Sequence, residues 1–201
     1  MEEIREYARK NIPQIIGINN FYSVLVPIIK IEGKDNILFE VRSKKLRTQP
    51  GEISFPGGRI EENESPEKAA IRETSEELLI SENDIQYYGQ SDTVVNANLS
   101  IIYSFIGEIK LPLEKVGKNP SEVEEIFTVP LQYFLENEPQ SYELEMKVRE
   151  NNKFPYELIP NGKNYRFKRG KDKVYFYKYK DKIIWGFTAK ILKNIIDKIS
   201  I

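Results

Sequence analysis

Apolar and polar residues are spaced along this chain in two alternating rhythms, one suited to strands and one to helices. Residues 22–31, Tyr-Ser-Val-Leu-Val-Pro-Ile-Ile-Lys-Ile, are apolar and largely β-branched, and they predict a buried strand. Glu32 to Asn36 reads as a turn and residues 37–42 as the returning strand of a hairpin. Residues 43–58 have no strong period and carry Pro50, Gly51, Pro56, Gly57 and Gly58, so they are expected to form a structured loop. Ser65 and Pro66 are suited to the N-cap and first turn of a helix, which should run to about Leu78. Residues 85–95 and 99–110 predict two more strands, 126–129 a short one, and 131–135 a short helix. Residues 141–149 alternate like a strand, and 174–179 form an aromatic one. Ile191, Leu192, Ile195, Ile196 and Ile199 recur at helical spacing and predict a closing helix over 187–200, while residues 2–11 suit a short leading helix ended before Pro13. Mixed strands and helices without a repeat or a low-complexity linker point to one α/β domain over residues 1–201, with 1–20 as a leading helical segment.

Composition narrows the chemistry. A chain of 201 residues can bury one sizeable core, and 30 basic against 31 acidic residues give no bulk attraction to nucleic acid or an anionic membrane. There is no cysteine, which excludes disulfides, thiolate metal sites and cysteine nucleophiles. There is no histidine either, which removes the commonest general base and the commonest zinc ligand. Catalysis would have to come from carboxylates, Lys, Tyr, Ser or a metal held by oxygen. No basic head precedes an apolar run at the start, and nowhere do eighteen apolar residues follow one another. The expectation is a cytoplasmic protein with no membrane partner.

The candidate chemistry sits between Gly58 and Glu77. On a helix Glu73, Glu76 and Glu77 fall at i, i+3 and i+4, on one narrow face. Ala69 and Ala70 leave room one turn earlier, and Ile71 and Leu78 fall on the other face to pack on a sheet. A Glu-rich face by itself is commonly just solvated surface. Here Gly57 and Gly58 lie just upstream, where backbone without a side chain can approach a phosphate or offer a carbonyl to a metal. Oxygen donors of this kind suit Mg²⁺ or Mn²⁺ and chemistry on a phosphate.

The spacing Gly58-x5-Glu64-x7-Arg72-Glu73-x-x-Glu76-Glu77 resembles the Nudix box, Gly-x5-Glu-x7-Arg-Glu-U-x-Glu-Glu-x-Gly-U with U apolar. Thr74 stands where an aliphatic residue is usual, and Leu79 stands where the box has glycine. The resemblance implies an α/β/α sandwich around a mixed sheet and hydrolysis of a nucleoside diphosphate linked to another group. It also implies Glu73 and Glu77 as principal metal ligands, with Glu76 a ligand or base. Glu64 and Arg72 would brace the loop against the helix. An acidic residue outside the box would serve as base or further ligand, with Glu122, Glu124 and Glu125 as candidates.

Upstream, Ser43-x3-Arg47-x3-Gly51-x3-Phe55-Pro56-Gly57-Gly58 is similar to the signature of the coenzyme A pyrophosphatase branch. The match is loose at its start, where Phe39, Glu40 and Arg42 replace Leu, Thr and Thr. The segments 119–131 and 184–192 resemble the same branch, so the similarity runs from about residue 22 to 195. Gly51 and Phe55 suit loop architecture. Arg47 is the best candidate for a substrate phosphate, followed by Arg42 and Lys44. Trp185 reads as core packing. Basic and aromatic residues interleave over 161–182, which would suit an adenine with its 3′-phosphate or single-stranded RNA; a twisted hairpin with aromatics inside and lysines outside is the plainer reading.

These readings converge on a Mg²⁺- or Mn²⁺-dependent hydrolase of coenzyme A or its acyl derivatives, acting on a small-molecule nucleotide and not on nucleic acid. Rival readings are a hydrolase of ADP-ribose, NADH or a deoxynucleoside triphosphate, and a domain that binds a nucleotide or RNA without cleaving it. A homodimer stays open.

Overall fold

The computed structural model describes residues 2–11, 15–18, 20–96, 99–148 and 153–200. Strand β1 (Asn20–Ile31) turns through Glu32 and Gly33 into β2 (Lys34–Arg42), and the two pair antiparallel from Ile28↔Ile37 to Ile31↔Lys34. Two short strands follow, β3 (Ile53–Ser54) on β2 and β4 (Gly57–Arg59) on β1. Helix α2 (Pro66–Leu78), preceded by α1 (Glu2–Lys10), leads to the antiparallel pair β5 (Ile85–Val95) and β6 (Ser100–Ile109). β6 lies parallel to β1 over ten residue pairs. β7 (Val123–Pro130) returns along β2, and α3 (Leu131–Glu136) caps it. The result is a seven-stranded mixed sheet of order β3-β2-β1-β6-β5, with β4 on β1 and β7 on β2. A second, three-stranded sheet is formed by β8 (Gln140–Met146), β9 (Gly170–Tyr179) and β10 (Lys182–Trp185), and α4 (Gly186–Ile199) follows it.

Strand alternation divides the core into two layers. Leu25, Ile29, Leu38 and Phe105 point to the face covered by α2, where they meet Ala70 and Leu78. Val26, Ile37 and Phe39 point the other way, to α4 and the small sheet, where they meet Tyr177, Ile184, Leu192 and Ile196. Phe39 centres this second layer, with its ring 5.2 Å from Phe55, 5.4 Å from Phe127 and 6.0 Å from Phe134. The outcome is an α/β/α sandwich around a mixed sheet, as the resemblance to the Nudix box implies. No helix among the described residues is long and apolar enough to cross a membrane.

Several boundaries differ from expectation. The supposed loop over 43–58 contains β3 and β4, whose two or three residues are too few to show a period. Strand β9 begins at Gly170 rather than 174, and β8 ends at Met146; position 149 lies outside the described residues. The expected hairpin over 161–182 is instead β9 paired with β10, preceded by single turns of 3₁₀ helix at 156–158 and 162–164. Tyr177 is buried there, whereas Tyr165 is exposed. Trp185 is not core: it is 41% exposed and stacks face to face on Phe176, with centroids 5.8 Å apart. It is the last residue of a strand and sits at the N-cap of the helix that follows. Helix α1 buries no residue, and Pro13, expected to end it, lies outside the described residues.

Candidate active site

The main sheet forks at β1. Its first half, Tyr22–Val24, pairs with β4, while its last four residues pair with β2. At the fork Leu25 donates its N–H to the Pro56 carbonyl at 3.0 Å, so the Phe55–Gly58 segment crosses the gap between β2 and β4. Side chains from β2 and α2 meet the backbone of β4 in that crevice.

Helix α2 supplies its part with standard end chemistry. Ser65 caps the N-terminus by accepting the Lys68 N–H, Pro66 occupies the first turn, and buried Thr74 satisfies its hydroxyl on the Ala70 carbonyl at 2.6 Å. At the other end Leu79 takes the left-handed conformation (φ 50°, ψ 45°) and closes the helix with its N–H on Ser75. Leucine thus performs the turn for which the Nudix box uses glycine. Its side chain is 59% exposed, so the conformation is held by the chain around it rather than by burial of the residue. The Asn119 N–H donates to the Glu77 carbonyl at 2.7 Å, and the Ser43 N–H donates to the Glu122 carbonyl at 2.7 Å. Those two bonds bring the 119–123 segment, and with it Glu122, to the C-terminal end of α2.

The three box glutamates do not share one environment. Positions 73, 76 and 77 span about 100° of helix circumference, so one edge of that arc faces the sheet and the other faces water. Glu77 is at the inner edge, 4% exposed, and its carboxylate accepts the Gly57 N–H at 2.8 Å. Glu73 is half-buried. Glu76 is at the outer edge, with its side chain 55% exposed and 3.3 Å from Arg72. Arg72 is the hub on that side: it forks onto both oxygens of Glu64 (2.8 and 3.0 Å), and also reaches Glu73 (2.9 Å) and the Arg59 carbonyl (3.3 Å). Among the described residues no three carboxylates converge in ligating position. The narrow acidic face expected from spacing is split, because Glu76 turns out to solvent on Arg72 while Gly57 holds Glu77 inward, with Glu73 between them on Arg72.

The glycines are explained by close approach. A Cβ on Gly57 would lie 2.2 Å from the Ser23 carbonyl oxygen, and one on Gly58 would lie 2.3–2.5 Å from the Glu73 carboxylate. Arg47 sits exposed on the 43–52 loop. Arg42 is partly buried, and its Nε has no hydrogen-bond partner among the described residues. Of the acidic residues outside the box, Glu122 is half-buried and close enough to disfavour charge on both Glu40 and Glu73. Glu124 and Glu125 are exposed, and Glu125 pairs with Lys182 at 2.6 Å.

The residue that sequence reasoning missed is Glu40. It lies on β2, fully buried, where its Oε1 accepts the Ser54 hydroxyl at 2.9 Å. Its position carries threonine in the upstream signature, and that departure was the available signal. Burial pushes Glu40 up to about 7, against the Ser54 hydrogen bond and the charge of Arg42. Burial and then the nearby Glu40 push Glu77 up to about 9, against the Gly57 hydrogen bond. Burial also raises Glu73, opposed by Arg72. Carboxylates confined together in this way need a cation or a proton between them. The donors are all oxygens, which fits a hard divalent ion such as Mg²⁺ or Mn²⁺. The residues fit such an ion in donor chemistry, although their side chains are not gathered around one point.

An open groove of about 610 Å³ lies elsewhere, lined by Val41, Lys44, Ile53, Lys182 and Trp185 among others. Val41 and Ile53 point to the α4 side of the sheet, whereas Glu40 and Ser54 point to the α2 side. Lys44, a lesser candidate for phosphate, therefore faces the groove and not the carboxylates.

A mixed-sheet sandwich with a glycine loop feeding a carboxylate-bearing helix defines a class of oxygen-donor sites suited to phosphate chemistry. The NUDIX domain pattern matches residues 21–147. The chain is 30% identical over 191 residues, 94% of its length and 90% of the relative's, to "Uncharacterized Nudix hydrolase NudL" of Photorhabdus laumondii. It is 35% identical to mouse "Peroxisomal coenzyme A diphosphatase NUDT7" over 62% of this chain and 52% of that protein. It is 33% identical to "Nudix hydrolase 3" of Caenorhabditis elegans over 56% of this chain and 48% of that protein. The chain thus spans about half the length of these last two relatives. It belongs to the Nudix hydrolase family.

Proposed function

We propose that the protein hydrolyses the pyrophosphate bond of coenzyme A or its acyl derivatives, giving 3′,5′-ADP and 4′-phosphopantetheine or its acyl form. The observation that carries the hydrolytic part is the buried Glu77 carboxylate, set against Glu40 and flanked by Glu73 and Glu122, on the helix of a Nudix box. The substrate rests on the signature from Ser43 to Gly58 and on the coenzyme A diphosphatase named among the relatives.

Glu73 and Glu77 would hold Mg²⁺ or Mn²⁺, which when bound offsets the diphosphate charge and makes a water easier to deprotonate. The Gly57–Gly58 backbone packs directly on these carboxylates, Gly57 through its N–H on Glu77 and Gly58 beside Glu73. Glu122 is the better placed of the proposed bases, because it stands half-buried beside Glu40 and Glu73; Glu76 points to solvent on Arg72. A base in that position takes a proton from the attacking water as the new P–O bond forms and the bridging oxygen leaves. Arg42 and Arg47 are the proposed phosphate contacts, Arg42 from inside the crevice and Arg47 from the loop. The cytoplasm is the proposed compartment; a chain without cysteine needs no oxidising one.

The test is a panel of coenzyme A, acetyl-coenzyme A, ADP-ribose, NADH and deoxynucleoside triphosphates, incubated with Mg²⁺ or Mn²⁺ and with a chelator, with products identified by mass. Metal-dependent appearance of 3′,5′-ADP supports the proposal. Coenzyme A left intact while another compound is cleaved refutes the substrate. One observation favours a non-hydrolysing nucleotide-binding domain, namely the ungathered carboxylates. No turnover of any panel member, with saturable binding of one, would establish that reading instead.

A further inference from the structure

We propose that Glu40 is an additional ligand of the divalent ion, joining Glu77 from the floor of the crevice; this rests on reading the site as a metal-dependent hydrolase.

The argument starts from an unpaired atom. Glu40 is 0% exposed, and while its Oε1 accepts from Ser54, its Oε2 is buried without a hydrogen-bond partner among the described residues. Buried oxygens in that condition are rare, because each forfeits the hydration it had in the unfolded chain. The neighbouring carboxylate is Glu77, whose other obligation is a single bond from the Gly57 N–H. When both are ionised, two acceptors face each other with no donor between them. A cation satisfies both at once.

The plainer explanation for a buried glutamate is an ion pair, and Arg42, two residues along the same strand, is the available partner. Arg42 does exert its charge on both Glu40 and Glu77. No ion pair is formed between Arg42 and either of them among the described contacts, and the Arg42 Nε is itself buried without a partner. Arg42 therefore offsets part of the negative potential of the crevice without filling the coordination of Glu40. Neither does the local architecture require a carboxylate: a threonine hydroxyl, present at this position in the upstream signature, could also bond Ser54. What glutamate adds is reach and charge toward Glu77. Ser54 then acts as a positioning residue, fixing one carboxylate oxygen and leaving the other for the ion.

The experiment measures Mn²⁺ binding without substrate, by electron paramagnetic resonance of free and bound Mn²⁺, in the full chain and in Glu40→Gln and Glu40→Thr. The expected result is a loss of Mn²⁺ affinity of at least about tenfold in both variants. The bound ion should also carry one more exchangeable water, counted by pulsed resonance in labelled water. A bracing role alone would leave the water count unchanged. Circular dichroism and a cooperative thermal transition in chelator establish that each variant is folded, and the threonine variant decides the matter if glutamine does not fold. Mn²⁺ affinity and water count equal to the parent's would overturn the assignment, as would a parent that binds no Mn²⁺. Because substrate is absent, the result stands whether or not coenzyme A proves to be the compound cleaved.

Discussion

Replacing Glu77 with glutamine should make the metal-free protein more stable and deprive it of its response to metal. The carboxyl has an ordinary value of 4.5 and is pushed up to about 9 by burial and by Glu40. A carboxyl raised in this way supports the fold fully below 4.5 and loses that support as pH rises toward 9, because the unfolded chain ionises first. Each pH unit in that window costs about 1.4 kcal/mol. Near pH 7.5 the chain is about three units past the ordinary value, so the cost reaches about 4 kcal/mol, and about 2 kcal/mol if Glu40 takes half of the shared burden. Glutamine has the same shape, is never charged, and can accept the Gly57 N–H through its amide oxygen. In chelator near pH 7.5, Glu77→Gln should therefore unfold at higher urea, by the equivalent of about 2–4 kcal/mol. Near pH 5 the gain should shrink to under about 1 kcal/mol, since only half a unit of the window has been crossed. Saturating Mn²⁺ should stabilise the parent by mass action and leave the variant unmoved, which narrows or reverses the order. Urea unfolding at both pH values, with chelator and with Mn²⁺, gives all four quantities. A variant no more stable than the parent near pH 7.5 in chelator, or equally shifted at both pH values, would refute the account of Glu77 as a buried, charge-frustrated carboxylate.

Three other outcomes follow from the same geometry. Leu79→Gly should raise thermal stability by up to about 1 kcal/mol, roughly 2–4 °C for a chain of this size, because glycine removes the left-handed penalty at an exposed position; a lower melting temperature in calorimetry would show that Leu79 packing outweighs the strain. Gly58→Ala places a methyl 2.3–2.5 Å from the Glu73 carboxylate and should displace it, lowering turnover by roughly a hundredfold while the circular dichroism spectrum stays unchanged; full activity would mean that Glu73 has no part in the reaction. Arg72→Lys keeps the charge but loses the fork onto Glu64, and should cost about 1–2 kcal/mol in urea unfolding; an unchanged midpoint would make the hub dispensable.

How much of this was legible beforehand differs residue by residue. Helix α2 was readable almost to its ends, since Ser65, Pro66 and the apolar pair Ile71 and Leu78 are local signals of local structure. The Phe55 and Gly51 assignments to loop architecture also hold: Phe55 stacks on Phe39, and Gly51 sits at φ 76°. Strands β3 and β4 were not readable, because a strand of two or three residues exists only through its partners. Trp185 was misplaced because an aromatic residue next to an apolar helix gives no sign of which way the chain turns.

The sequence by itself determined the box spacing, the absence of histidine and cysteine, and hence an oxygen-donor site. It determined the two-faced strands that sort Leu38 to one layer and Phe39 to the other. Tertiary structure alone decided which carboxylates share an environment. Glu40 lies 37 positions from Glu77 and is brought to it by the fork of β1, while Glu76, one residue away, is turned out to Arg72. Spacing along a helix fixes the angle between side chains. Which side of that angle faces the sheet is a property of packing, and packing depends on segments far apart in the chain.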